Sequence, residues 1–493
     1  MADLARLEAI VDAADVAAGI EMVLPVGGRP RQLGARTLLV GMLLAQADDR
    51  PGHLVRVHRA LVGLAPADRR RLGVIVDWRT GPHTLTYRQV ERTFALVVAV
   101  LHAGAPAGCP SDALSGVVDN LIEASVPERY KHATSAVAVD WTDHPTWALA
   151  PHRDQIGADP DASWGHRASH AIGVNDELFY GYYPQAATMV AEDAGPPVPE
   201  LARRLLVTSC HVDPPRAFVA VIERMHHAGI AIGDILADSG YAHRAAVAWA
   251  LPLRSLGARL VQDHHPADRG PKGTHGGAVI ANGNLFCPCT PTALLQIGPL
   301  HRAANPAETA AHDTATTETA RYKLGRRSAD DPDGYHRVGC PALAGKLRCP
   351  LHPDSMTLGR DRPEILNPPQ HPPLCCTQQT LTVPPAINAK TAQKHDYPGP
   401  AWRHSYARRS AAERTNSTIK DPASTDTTRG WCRLMGLTAI TLFLTCAIVI
   451  RNQRIVDAFE TRQAHDARRA TLGQPPKTRR RRRRSIDDLI DTT

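Results

Sequence analysis

Two carboxylates stand where a sheet protein could put them to chemical use. Asp140 closes the short apolar run Ser135-Ala136-Val137-Ala138-Val139, and Asp238 closes the mostly apolar run from Ile232 to Ala237. Each run reads as a strand, and a carboxylate at a strand's end is rigidly held yet open to solvent. Two such strands side by side would bring both groups to one edge of a sheet. Mg²⁺ suits that setting: hard oxygen ligands, few protein donors, and room for water and phosphate. Asp is also a common turn residue, so neither carboxylate alone specifies chemistry. Asp143 is the alternative first ligand; Asp140 is preferred because it ends the apolar run, which leaves Asp143 in the following turn.

A third carboxylate, Glu413, sits in a segment that reads as one helix, with Ser405 as its N-cap and Asp421-Pro422 as its stop. At about 100° per residue, Tyr406, Arg409, Glu413 and Lys420 share an arc about 60° wide. A carboxylate beside an Arg, a Lys and a Tyr hydroxyl suits a metal flanked by phosphate-gripping donors. The plainer reading is a solvated face with Arg409 and Glu413 paired one turn apart.

The gaps between Tyr406, Arg409, Glu413 and Lys420 are two, three and six residues. This pattern resembles the Tyr-Arg-Glu-Lys signature of insertion-sequence DDE transposases. Val137-Ala138-Val139-Asp140 and Leu236-Ala237-Asp238-Ser239-Gly240-Tyr241 look like that family's first and second acidic motifs, and Arg36-Thr37-Leu38-Leu39-Val40-Gly41 looks like its N-terminal segment. The resemblance implies an α/β fold with a ribonuclease H-like mixed sheet. It implies that Asp140, Asp238 and Glu413 hold two Mg²⁺ (or Mn²⁺) ions, and that Tyr406, Arg409 and Lys420 grip phosphates at a transposon end. The implied function is DNA transposition, a form of DNA recombination: metal-dependent cleavage and strand transfer on terminal inverted repeats and target DNA. A homodimer on paired double-stranded DNA ends is implied too, as is a cytoplasmic, nucleoid-associated bacterial setting. The rival reading is a catalytically inactive or domesticated transposase-derived DNA-binding protein.

These motifs need elements to position them. Residues 1–125 read as a helical N-terminal region in which Arg29, Arg31, Arg36, Arg56, Arg59 and Arg69 to Arg71 scatter positive charge, as suits either DNA contact or a plain helical scaffold with basic faces. Residues 126–266 read as the first part of the catalytic domain. Strands are expected at Tyr180 to Val190, Glu200 to Cys210 and Arg259 to Gln262, and helices at Pro214 to His227 and His243 to Leu256. Residues 267–400 are rich in Pro, His, Cys and Gly without sustained periodicity, and read as an insertion. Residues 401–460 return to the catalytic domain, and 461–493 form a basic disordered tail.

Within the insertion, Cys287, Cys289, Cys340, Cys349, Cys375 and Cys376 could close a structural Zn²⁺ site, although their spacing matches no recognised paired-CxxC pattern. The pairs His226-His227 and His264-His265 read as structural or surface residues. The tryptophans Trp141, Trp147, Trp164, Trp402 and Trp431 read as packing rather than as platforms for a base.

Composition sets the outer bounds. The 493 residues allow two to four domains, and 43% hydrophobic with 22% charged residues excludes wholesale disorder. The net charge of +8 fits a polyanionic partner, and Lys477 with Arg479 to Arg484 places seven positive charges in eight residues. Met1-Ala2-Asp3-Leu4 lacks the basic start of an export signal, so the ten cysteines are expected as free thiols or metal ligands. The apolar run Leu434 to Ile450 is short for a bilayer span and carries Thr438, Thr441 and Thr445, so it reads as a buried core element and not a membrane anchor.

Overall fold

Strands that are apolar on both faces belong in the middle of a covered sheet. Val137–Trp141 (β1) and Asp234–Ala237 (β4) are of that kind. In the computed structural model they lie side by side and parallel at the centre of a seven-stranded mixed sheet. The structure describes residues 3–26, 31–48, 52–79, 81–152, 155, 157–167, 177–301 and 304–476. The basic run 477–484 and Arg29 lie outside these residues.

Three further strands complete the core of the sheet: Glu177–Met189 (β2), Ala202–Ser209 (β3) and Arg259–Gln262 (β5). Antiparallel pairing joins β3 to β2 and β2 to β1; parallel pairing joins β1 to β4 and β4 to β5. The spatial order is therefore β3-β2-β1-β4-β5. The short strands His144–Pro145 and Ser163–Arg167 pair with β2 beyond this core.

Period-two alternation decides what covers each face. Val137, Val139, Ile235 and Ala237 pack on one side against helix Pro214–His227 (α1) through Phe218, Val221, Ile222 and Met225. Ala136, Ala138, Leu236 and Val261 face the other side, where Trp402, Ala411 and Ala412 cover them. The crossover from β3 to β4 runs through α1, whose ends match the expected Pro214 and His227.

Two expected helices are corrected. His243 to Leu256 is not one helix: a single turn runs over Ser239–Ala242, a 3-10 turn over Ala246–Ala248, and a helix over Ala250–Ser255. Asp238 caps the first piece, so helix starts before His243 and ends there. Trp249 breaks the continuity with extended φ, burying its indole and donating from Nε1 to Gln262 Oε1 at 3.1 Å. Nor does a helix begin at Ser405. It begins after Gly399 at Pro400, where proline costs no hydrogen bond, and runs to Tyr406. A 3-10 turn over Ala407–Arg409 leads into helix Ser410–Lys420 (α2). Ser405 is buried inside the first helix, its hydroxyl meeting Arg408 at 2.5 Å.

The N-terminal part is helical apart from the hairpin Ile75–Trp78 with Gly81–Thr84. Residues 267–400 build two three-stranded antiparallel sheets and the helix Pro306–Tyr322. The apolar run near the end lies in the 35-residue helix Leu437–Thr471 (α3), which corrects the expected disordered tail, since residues 461–471 continue this helix. By length and composition α3 could cross a membrane, yet 83% of its most apolar window is buried inside the protein. Ile440, Leu444 and Ile448 join Leu38, Leu39 and Leu43 in one core, and Asn452 bonds both backbone groups of Ala202 on β3.

Candidate active site

The two aspartates stand level. The parallel ladder partners Val137 with Ile235 and Ala138 with Leu236, and the same register carried two residues on sets Asp140 beside Asp238. Each is held from a different side. Asp238 Oδ1 accepts from the backbone N–H groups of Gly240 at 2.9 Å and Tyr241 at 3.4 Å. That turn needs glycine: a Cβ on Gly240 would stand 2.4 Å from Cη2 of the Trp141 ring. Asp140 Oδ2 accepts from Asn416 Nδ2 at 3.2 Å.

Helix α2 supplies Asn416 because its other face is apolar. Ala411, Ala412, Thr415 and Ile419 are buried against β1 and β2, and the Thr415 and Thr188 hydroxyls meet at 2.9 Å. This seating sends Glu413 and Asn416, three residues apart, to the aspartate end of the sheet. Glu413 is part-exposed and ion-paired with Arg409. Tyr406 and Arg409 are brought together by the 3-10 turn, where residues three apart eclipse. The Arg409 guanidinium lies 5.5 Å from the Tyr406 ring centroid, and that ring stacks on Trp402 at 4.7 Å and 14°.

The electrostatics follow from crowding. Burial, then repulsion from Asp238 and Glu413, pushes the Asp140 carboxyl up to about 7, with Arg409 and Asn416 acting the other way. Burial also raises Asp238, and Arg409 again opposes the shift. The Tyr406 hydroxyl is pushed up by burial.

The structure brings Asp140, Asp238, Tyr406, Arg409 and Glu413 into one neighbourhood, but Lys420 lies one end away. Its ammonium donates to Thr142 Oγ1 at 2.6 Å and Asp143 Oδ1 at 3.1 Å. Arg167 holds the other oxygen of Asp143 at 2.5 Å. Although burial alone would raise it, Asp143 sits below the ordinary carboxylate range because of these two cations. Asp143 is thus clasped by cations, while Asp140 is level with Asp238.

The oxygen donors match a hard divalent cation in type. Among the described residues, however, no group of three or more His, Cys, Asp or Glu side chains is placed to hold a metal ion as it stands, which applies equally to the carboxylates and the cysteines.

Sequence reasoning missed Asn416, Arg167 and the support beneath β4. There Asp234, fully buried, meets Lys394 at 2.7 Å, Arg408 at 2.9 Å and Arg259 at 2.8 Å. Asn416 had a signal, since it lies on the face of Glu413 at helical spacing. Asp234 had none, because its partners come from distant segments.

No protein-family model matches the chain, and no curated protein matches it.

Proposed function

We propose that this protein is a DDE-type DNA transposase acting through a ribonuclease H-like catalytic domain. The observation that carries the reading is the level placement of Asp140 and Asp238 on adjacent parallel strands, with α2 tied to Asp140 and carrying Glu413. The strand order β3-β2-β1-β4-β5, with a helical crossover between β3 and β4, supports the fold assignment. Tyr406, Arg409, Glu413 and Lys420 keep the signature spacing.

Asp140, Asp238 and Glu413 would hold Mg²⁺ or Mn²⁺. Bound there, such ions supply a lowered water pKa and a counter-charge for the leaving oxygen of an in-line displacement. The chain's own residues have separate tasks. Asn416 and the Gly240-Tyr241 amides fix the carboxylate orientations. Arg409 offsets the negative charge of the cluster and, with Lys420, offers cationic donors to DNA phosphates. Double-stranded transposon ends and target DNA are the substrates.

One observation favours the alternative of a DNA-binding protein without cleavage. Glu413 is engaged by Arg409. A single experiment separates the two. Purified protein is incubated with DNA flanking its own gene, with Mg²⁺ or EDTA, as wild type and as Glu413→Gln. Transposase activity gives metal-dependent cutting by wild type and binding without cutting by the variant. Binding without cutting by both, with Mg²⁺ and with Mn²⁺, establishes the DNA-binding protein instead.

A further inference from the structure

Tryptophan is highly buried on average, and a ring left in water on a rigid segment forgoes much apolar burial. Trp147, Trp164 and Trp431, expected to pack, are instead 40%, 47% and 44% exposed. Trp147 has cationic company. The Arg433 guanidinium lies 4.8 Å from its ring centroid and that of Arg429 5.9 Å. Both arginines are exposed and come from the loop that joins α2 to α3, with Trp431 between them in the chain.

Both segments are anchored from below. Thr146 is buried, donating its N–H to the Tyr180 carbonyl at 3.0 Å and its hydroxyl to Asp159 Oδ2 at 2.6 Å. In the loop, Cys432 is buried and its N–H donates to the Thr428 carbonyl at 3.2 Å. Arg429 ties the two segments, its Nε donating to the Thr146 carbonyl at 3.1 Å, and Arg433 Nε donates to the Gly430 carbonyl at 3.3 Å. Among the described residues neither guanidinium forms an ion pair. The loop's own carboxylates are taken: Asp421 Oδ1 accepts from Ala423 N–H at 2.9 Å, and Asp426 Oδ1 from the Thr428 hydroxyl at 2.6 Å. An exposed ring beside two such guanidiniums complements a ligand with a flat apolar face and an anionic edge. An unpaired nucleotide is that ligand: its base stacks on an aromatic ring or a guanidinium plane, and its phosphates take the remaining N–H groups. Bases within a duplex keep their faces in the helical stack, and a peptide lacks the regular negative charge.

We propose that Trp147, Arg429 and Arg433 form a stacking platform for one unpaired nucleotide of single-stranded DNA. Trp147 lies four residues on from Asp143, which holds Lys420 at the end of α2. The platform therefore stands within about 15 Å of that clasp, measured along the chain. The choice of DNA over RNA rests on the transposase reading, which makes DNA the substrate. The stack itself needs no cleavage.

The test titrates the full chain with oligo(dT) of about 16 nucleotides, beside the matching duplex and oligo(rU). Wild type is expected to bind oligo(dT) with partial quenching of its tryptophan emission. Trp147→Ala should weaken that binding roughly 10- to 100-fold, the loss of one stacked base, and leave duplex affinity unchanged. Trp147→Phe keeps a stacking ring, so it should hold most of the affinity yet lose most of the quenching. Arg433→Ala should weaken binding and lower the slope of log affinity against log salt by about 0.7, one phosphate contact on a single strand. Wild type that does not bind oligo(dT), or Trp147→Ala that binds it as wild type does, overturns the proposal. So does undiminished quenching in Trp147→Phe, an equal loss for the duplex, or tighter binding of oligo(rU). Should Trp147→Ala fail to fold, the quenching in Trp147→Phe decides. No cutting is measured, so a protein that binds in this way without cleaving keeps the platform and loses only the transposase reading.

Discussion

The Asn416 amide donates to Oδ2 of Asp140 at 3.2 Å, tying the last helix of the site to its first strand. Asn416 also lies one helical turn from Glu413, so one bond couples the placement of two carboxylates.

If the protein cleaves DNA as proposed, Asn416→Ala should therefore act as a positioning defect. A hydrogen bond to a charged group contributes about 1.5–3 kcal/mol, which corresponds to roughly a 10- to 100-fold loss of cleavage rate. DNA affinity should be unchanged, because the amide faces a carboxylate and not solvent. Cleavage rates beside binding titrations check this; equal losses in both would mean that α2 itself had shifted.

Gly240→Ala tests the turn that holds Asp238. The new methyl would meet the Trp141 ring, a rigid neighbour whose centroid lies 4.6 Å from that of Tyr241 with the planes tilted by 57°. A loss of roughly 1–3 kcal/mol is expected from the overpacking, seen as a lower urea midpoint. An unchanged midpoint would show that Trp141 yields freely.

Asn452→Leu tests the seam between α3 and the sheet. The Asn452 side chain accepts from Ala202 N–H at 3.0 Å and donates to Ala202 carbonyl at 2.8 Å and Ser125 Oγ at 2.9 Å. Leucine keeps the bulk and orphans two buried backbone groups, at a cost of about 3 kcal/mol. Thermal unfolding measures it, and a wild-type melting temperature would contradict the account.

Buried histidines set an acid limit. Burial holds His144 and His264 neutral, each lowered from 6.5 to about 4. The unfolded chain takes up these protons first, so stability is full above pH 6.5 and is lost as pH falls towards 4. Each contributes at most about 3 kcal/mol over that window. Urea midpoints at neutral pH and near the lower limit, for wild type and a His144→Gln/His264→Gln double variant, check the slope. The double variant should show the flatter dependence.

Much of the sheet was legible because its strands obey local rules. The run Val137 to Val139 is apolar without alternation, as a strand covered on both faces must be, and β5 and α1 begin and end where spacing put them. The helix after Asp238 was misread because one side-chain cap moved its start and the burial of Trp249 broke it, and tertiary packing decided the latter. The segment carrying Glu413 was read as one regular helix, but Gly399-Pro400 starts it earlier and the 3-10 turn resets the phase between Tyr406 and Glu413. Lys420 shows the limit of a helical wheel. It shares an angle with Glu413 but sits two turns along the axis, beside Asp143 instead of the aspartate pair.

Helix α3 is made last among the core elements, yet the first helices complete their apolar core against it. During synthesis the part of this core that Ile440 to Ile448 cover stays open until they leave the ribosome, an interval of roughly tens of seconds at ordinary elongation rates. A chain ending before α3 would leave part of the N-terminal apolar core without its cover.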